Sequence, residues 1–128
     1  MRILLDTQAL ILAGQGKLPR KAALAFTDNV NEIFFSHVSL WEMGLKASLG
    51  KLKFDHDLLE YHDLLVKDLG LTSLAISVAH LHKCVALPWC HKDPFDRLLI
   101  GQALLEDLFI MTGDRVFSDY GCRRIWDS

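Results

Sequence analysis

The stretch Ile3-Leu4-Leu5-Asp6 decides the fold class of this chain. Three consecutive apolar residues are too few for a helix, and their lack of alternation predicts a β-strand that is covered on both faces. Similar apolar runs follow at Ile33–Phe35, Leu71–Leu74 and Leu108–Met111. Because helical patterns separate these runs, we expect an α/β fold with a parallel sheet that is covered on both faces. Arg124–Trp126 is a candidate for one more strand, at an edge of that sheet.

The segments between the strands carry signals for helix starts and stops. Pro19 precedes a predicted helix over residues 20–28, and Gly70 ends another predicted over residues 57–69. A further helix is expected from Ser77 to about Val85. The clearest start is Asp93-Pro94, because Asp93 is a favourable N-cap and proline is favoured at the first helical position.

Ser39 and Glu42 have the spacing of a capping box, in which the serine hydroxyl and the glutamate carboxylate each accept a free backbone N–H. The pattern predicts a helix from Ser39 to about Leu49, which Gly50 ends in the left-handed conformation. Glu42 therefore has a structural explanation that involves no chemistry.

Composition limits the possible functions. The 128 residues are 51% hydrophobic, which suits a single domain over residues 1–128. The chain has 14 basic and 16 acidic residues and a net charge of −2, so a nucleic acid would have to be held locally. The three cysteines lack CxxC spacing, which predicts neither a disulfide framework nor a zinc site. The apolar start shows no cleavage site and no segment is long enough to span a bilayer, so we expect a cytoplasmic protein.

Four carboxylates fall at corresponding places of the predicted fold. Asp6 and Asp114 follow strands, and Glu42 and Asp96 lie in the first turns of predicted helices. Ligands bind at the carboxyl ends of parallel strands, and clustered carboxylates repel one another unless a cation neutralises them. No histidine or cysteine lies at ligand spacing beside these acids, and ligation by oxygen alone favours magnesium or manganese. Such an ion activates water and stabilises charge on a phosphoryl oxygen.

Taken singly, each acid also has a structural explanation. Asp6 and Asp93 can cap helices, Asp96 can interact with a helix dipole, and Asp114 can belong to an ordinary turn. The prediction of a metal site therefore depends on the arrangement of the acids and not on any one of them.

Four blocks of sequence resemble the PIN-domain nucleases, specifically the VapC-type toxins of bacterial toxin–antitoxin pairs. The blocks are Leu4–Thr7, Ser39–Glu42 with Lys46 beyond it, His91–Ile100, and Thr112–Asp114 followed by Phe117. The resemblance implies a three-layer α/β/α sandwich with a central parallel sheet. It also implies a magnesium-dependent endoribonuclease, a cognate antitoxin partner and a homodimer. Relatives with this third block often carry histidine two residues after the first aspartate. This chain has Gln8 there, and position 8 is given no role.

The resemblance maps the family's metal-binding acids onto Asp6, Glu42, Asp96 and Asp114, and their separate roles are our hypothesis. Asp6, Asp96 and Asp114 would hold the ion, Glu42 would orient the attacking water or bind a second ion, and Asp93 would be an outer-shell group. Cationic side chains near these acids are candidates for contacts with the RNA backbone. They are Lys46, Lys92, Arg97 and Arg115.

Two other functions remain open. An aspartate that ends the first strand is also the nucleophile of haloacid-dehalogenase-like phosphatases, but those enzymes need an acid at position 8. A catalytically inert PIN-like binding module would not need all four acids. No histidine is assigned to catalysis.

Overall fold

A computed structural model describes residues 1–127, which form five strands and seven helices. In chain order they are β1 (Arg2–Leu5), α1 (Thr7–Gln15), α2 (Arg20–Thr27), β2 (Glu32–Ser36), α3 (His37–Ser48), α4 (Leu58–Lys67), β3 (Thr72–Leu74), α5 (Val78–Val85), α6 (Pro94–Leu105), β4 (Phe109–Met111), α7 (Val116–Asp119) and β5 (Arg124–Ile125). None of the helices in this described part of the chain is both long and apolar enough to cross a membrane.

The five strands form one parallel sheet in the order β3-β2-β1-β4-β5. Ile3 of the central strand pairs with Ile33 of β2 on one side and with Phe109 of β4 on the other. The connections run outward from β1 in both directions, so the strand order reverses between β1 and β4. Such a switch point opens a crevice at the carboxyl ends of the two strands.

The two faces of the sheet bury separate hydrophobic clusters. Ile3 and Leu5 of β1 belong to the cluster that includes Leu10 of α1 and Leu65 of α4. Leu4 points to the opposite face and belongs to the cluster formed with α6 and α7. Fully burying a side chain of this size stabilises the fold by about 2 kcal/mol. Helices therefore cover both faces, which confirms the predicted three-layer α/β/α sandwich.

The start of α3 differs from the prediction. The helix begins at His37, and its N-cap is Ser36, whose hydroxyl accepts the Val38 N–H at 3.0 Å. Ser39 lies inside the helix, where its hydroxyl accepts a hydrogen bond from Thr7 at 3.0 Å. The predicted capping box of Ser39 and Glu42 is thus wrong, because β2 runs directly into the helix. Glu42 lies in the second turn and caps nothing.

Other predicted boundaries are confirmed within one or two residues. Asp57, Ser77 and Asp93 are the N-caps of α4, α5 and α6. Gly50 and Gly70 have the expected positive φ angles, 71° and 67°. The sequence patterns did not identify α1, which is apolar along most of its length, or α7, which has only four residues.

Helices α5 and α6 pack closely at Gly101. A Cβ atom at this position would lie 3.2 Å from the Cys84 nitrogen and 3.3 Å from the His80 carbonyl oxygen. Both are backbone atoms of α5, which cannot move aside as a flexible side chain can. A larger residue at position 101 must therefore push the helices apart.

We expect Gly101→Ala to lower the free energy of unfolding by about 1–3 kcal/mol, the usual cost of overpacking. Gly14→Ala is the matched control, because Gly14 is in α1 and has open space where its Cβ would be. This control should raise stability by about 0.5–1 kcal/mol through helix propensity. Urea denaturation of both variants provides the measurement. Equal stability of Gly101→Ala and the wild type would contradict the packing argument.

Candidate metal centre

The acids singled out from the sequence lie together at the carboxyl edge of the sheet. They line a cleft of about 560 Å³ at the switch point between β1 and β4. Asp6 directly follows β1, and Asp114 lies in the turn that leaves β4. The full acidic set is Asp6, Glu42, Asp93, Asp96 and Asp114.

Asp6 is the most deeply buried aspartate of the cleft, with 6% of its surface exposed. Its Oδ1 accepts the Ala9 N–H at 2.7 Å, so Asp6 does cap α1, as one of its structural explanations predicted. Burial raises the pKa of Asp6 to about 6, and the carboxylates of Asp96 and Glu42 contribute to the increase. Asp6 therefore both caps α1 and belongs to the acidic cluster.

Glu42 reaches the cleft from the second turn of α3 and is 5% exposed. Its Oε2 accepts a hydrogen bond from Lys46 Nζ at 2.6 Å. Its Oε1 is, among residues 1–127, the one buried side-chain oxygen or nitrogen without a hydrogen-bond partner. Leaving such an atom unpaired costs about 1–3 kcal/mol, and more for a charged group.

Asp93 and Asp96 enter the cleft from the start of α6. Asp93 Oδ1 accepts the Asp96 N–H at 3.0 Å, which confirms Asp93 as the N-cap. Asp96 Oδ2 lies 2.8 Å from His91 Nε2. Burial raises the pKa of Asp96, although its hydrogen bond with His91 opposes the shift.

Asp114 is exposed at the mouth of the cleft. Its backbone N–H donates to the Thr112 hydroxyl at 3.0 Å, and its Oδ1 accepts the Val116 N–H at 3.0 Å. These two bonds fix the turn after β4 and leave the second carboxylate oxygen of Asp114 available to a ligand.

His91 belongs to this group although the sequence analysis assigned no histidine to it. One donor atom each from His91, Asp96 and Asp114 lies within 4.8 Å of the other two. The expectation that no histidine stands beside the acids is therefore wrong. The segment between α5 and α6 folds back over the first turn of α6, and spacing along the chain does not show that contact. His91 lies only two residues before the N-cap Asp93, which is the one local signal that could have identified it.

Buried hydrogen bonds connect the helices that carry the acids. Thr7 of α1 donates to Ser39 of α3, and the Ser36 hydroxyl at the start of α3 donates to Gln102 Oε1 of α6 at 2.5 Å. All four side chains are buried. Buried and satisfied polar contacts of this kind fix the position of one element relative to another. The carboxylates are thereby held at set separations despite their mutual repulsion.

Comparisons with known proteins identify a family with this architecture. The model of the PIN domain family matches residues 3–121. The chain belongs to the PIN domain family. No curated protein matches the chain in sequence.

Solved structures share the fold at low sequence identity. VapBC2 from Rickettsia felis, bound to a DNA fragment, has a TM-score of 0.71 and 18% identity over 99% of this chain and 100% of that one. DNA-bound VapBC from Salmonella typhimurium has a TM-score of 0.67 and 17% identity over 97% and 96% of the two chains. FitAcB from Neisseria gonorrhoeae has a TM-score of 0.63 and 17% identity over 95% of each.

The cations of this PIN domain are distributed unevenly around the cleft. Lys46 lines it, as does Lys51, which the sequence analysis missed. Lys92 borders a separate shallow pocket beside Trp89. Arg115 is exposed next to Asp114, outside the lining of the cleft.

Arg97 is 3% exposed and faces away from the cleft. Its guanidinium donates to the backbone carbonyls of Cys84, Leu87 and Pro88, and Trp89 stacks on it at 3.8 Å. These contacts leave no free face for a phosphate, so the expected contact between Arg97 and RNA is not retained. Arg97 instead holds the segment that carries His91.

The donor set of the cleft fits a hard divalent cation. Carboxylate oxygens are the preferred ligands of such ions. A bound cation would pair with Glu42 Oε1 and would offset the burial that raises the pKa values of Asp6 and Asp96. Asp6, Glu42, Asp96 and Asp114 are the residues that could hold the ion.

We expect Asp6→Asn to stabilise the metal-free protein at pH 8. A carboxyl whose folded pKa is raised costs nothing below about pH 4, where it is protonated in both the folded and the unfolded state. The destabilisation grows as the pH rises from about 4 to about 6, and it is complete above that pH. The variant removes the charge and keeps an oxygen for the Ala9 N–H. The free energy of unfolding should rise by up to about 3 kcal/mol at pH 8 and by almost nothing at pH 4.

Urea denaturation with chelator at both pH values measures this difference. Asp55→Asn, which removes an exposed carboxylate outside the cleft, is the control and should show no such dependence on pH. A variant of Asp6 that is no more stable than the wild type at pH 8 would show that the buried charge carries no penalty.

Proposed function

We propose that this PIN domain is a divalent-metal-dependent endoribonuclease and the VapC-type toxin of a toxin–antitoxin pair. The observation that carries the proposal is the buried, unpaired Glu42 Oε1 in a cleft shared with Asp6 and Asp96. A hard cation would satisfy this oxygen and neutralise the neighbouring carboxylates. Magnesium is the expected ion, and manganese fits the same donors.

Each acid has a part in the proposed mechanism. Asp6, Asp96 and Asp114 would hold the cation, which when bound lowers the pKa of water and stabilises charge on a phosphoryl oxygen. Lys46 fixes one oxygen of Glu42, so the other can accept a proton from the attacking water or bind the cation. Asp93 caps α6 and thereby keeps Asp96 in place.

The shape of the cleft favours a nucleotide over a small phosphate ester. Ile11, Met43, Leu52 and Trp126 line it together with the acids. A phosphodiester could lie at the carboxylates while its base covers the apolar side chains, and an aromatic ring such as Trp126 can stack on any base. Lys46 and Lys51 supply positive charge for the backbone.

The phosphatase alternative has less support. Gln8 lines the cleft at the position where that chemistry needs an acid. An inert module would not explain why a buried glutamate oxygen is left unpaired.

The structural relatives from Rickettsia felis and Salmonella typhimurium are VapBC complexes. By analogy, we propose that this chain pairs with an antitoxin, forms a homodimer and acts in the cytoplasm. Exposed apolar side chains of α3 and α4 are available for such contacts. They include Trp41, Leu45, Leu58 and Leu59.

Glu42→Gln and Asp96→Asn should each reduce RNA cleavage at least a hundredfold, because the cation supplies several kcal/mol of transition-state stabilisation. Both substitutions preserve the size of the side chain. Cleavage of a fluorescent RNA with Mg²⁺, with Mn²⁺ and with chelator is the measurement, and Asp55→Asn is the control. Full activity in either variant would overturn the assignment. Hydrolysis of p-nitrophenyl phosphate without RNA cleavage would favour the phosphatase.

Lys51→Ala should weaken RNA binding and reduce the slope of affinity against salt concentration by about 0.7–1, the contribution of one phosphate contact. The salt dependence of Kd for a non-cleavable RNA analogue measures it. Lys67→Ala is the matched control, because Lys67 is exposed on α4 outside the cleft. If both variants bind RNA as the wild type does, Lys51 has no contact with the backbone.

A further inference from the structure

His91 occupies a position that the proposed nuclease chemistry leaves unexplained. It lies between α5 and α6, and its Nε2 is 2.8 Å from Asp96 Oδ2. The Asp114 carboxylate approaches both, with ligand atoms of all three residues within 4.8 Å of one another. One imidazole nitrogen and two carboxylates thus meet at the mouth of the cleft.

The separation between His91 and Asp96 suits a shared cation. Two neighbouring ligands of an octahedral ion, with bonds of about 2.1–2.2 Å, lie roughly 3 Å apart. The observed 2.8 Å matches this spacing as well as it matches a hydrogen bond. A cation can therefore replace the shared proton without moving either side chain far.

The placement of His91 is enforced by a buried charge. The Arg97 guanidinium donates to the Pro88 carbonyl at 2.8 Å, the Leu87 carbonyl at 3.2 Å and the His91 carbonyl at 3.4 Å. Burying an arginine is costly unless its N–H groups are satisfied. Here the accepting oxygens belong to the segment that carries His91. A shift of this segment would leave N–H groups of the buried guanidinium without hydrogen-bond partners.

A second observation in the same cleft also points to a bound cation. Glu42 Oε1 is unpaired, and the side chain is more than nine-tenths buried. This atom lies on a different element from the His91 group, and it needs a positive partner independently of that group.

We propose that His91, Asp96 and Asp114 form a cation position with mixed nitrogen and oxygen donors. This position takes Mn²⁺ or a later first-row transition ion in preference to Mg²⁺, because imidazole suits those ions and Mg²⁺ prefers oxygen ligands. Asp96 and Asp114 are shared between this position and the carboxylate position, which Asp6 and Glu42 complete. The inference rests on the proposed function for the carboxylate half of the site and adds a second kind of ion to it.

The test is pulsed electron paramagnetic resonance of Mn²⁺ bound to the chelator-stripped full chain, in the presence of excess Mg²⁺. A directly bound imidazole gives nitrogen-14 modulation of the electron spin echo. We expect this modulation in the wild type and its loss in His91→Gln, together with a decrease in Mn²⁺ affinity of about tenfold or more. The affinity for Mg²⁺ should fall less than that for Mn²⁺, because His91 only hydrogen-bonds Asp96 at the carboxylate position and does not bind Mg²⁺ there.

His82→Gln is the matched control, since His82 is exposed on α5 and lies outside this group. It should keep both the modulation and the Mn²⁺ affinity. Urea denaturation with chelator establishes that His91→Gln is folded.

The outcomes separate this inference from the nuclease proposal. Saturable Mn²⁺ binding without nitrogen modulation in the wild type would place His91 outside the coordination sphere and overturn the inference, whatever the RNA-cleaving activity. An absence of Mn²⁺ binding would overturn it too. Nitrogen modulation in a protein that cleaves no RNA would support the mixed position and count against the nuclease.

Discussion

The burial of several like charges side by side is the constraint on which the rest of this molecule depends. Asp6, Glu42 and Asp96 line one cleft, and each receives a different compensation. Asp6 and Asp96 lie at the N-termini of α1 and α6, where the helix dipole favours negative charge. Glu42 lies too far into α3 for that effect and is paired with Lys46. These compensations are incomplete, as the raised pKa of Asp6 and the unpaired Glu42 Oε1 show.

The fold supplies the rigidity that this arrangement needs. The central strand is buried on both faces, so the end of β1 cannot retreat from the end of β4. The Thr7–Ser39 and Ser36–Gln102 contacts then join α1, α3 and α6 below the cleft. Carboxylates that would separate if they were free are thereby held in one cleft. The stability lost at the site is offset by apolar burial elsewhere in the sandwich.

Arg97 connects this scaffold to the mouth of the cleft. A buried guanidinium must have its donors satisfied, and the backbone before α6 satisfies them. The same requirement brings His91 against Asp96 and keeps Trp89 stacked above the guanidinium. A residue that the sequence suggested as an RNA contact therefore acts inside the fold, and it determines where a neighbouring histidine lies.

The sequence by itself determined the sheet class, most helix boundaries and which acids come to line the cleft. Unbroken apolar runs such as Ile3–Leu5 belong to doubly covered strands, and caps such as Asp93 act within a single turn. It could not distinguish Ser36 from Ser39 as the start of α3, because both serines can cap and only the end of β2 decides between them. The positions of His91, Lys51 and Arg97 relative to the cleft were decided by tertiary structure alone. Their surroundings depend on how separate elements pack. The cleft beside Lys51, the contact of His91 with Asp96 and the burial of Arg97 do not exist until the sheet and its two helical layers have formed.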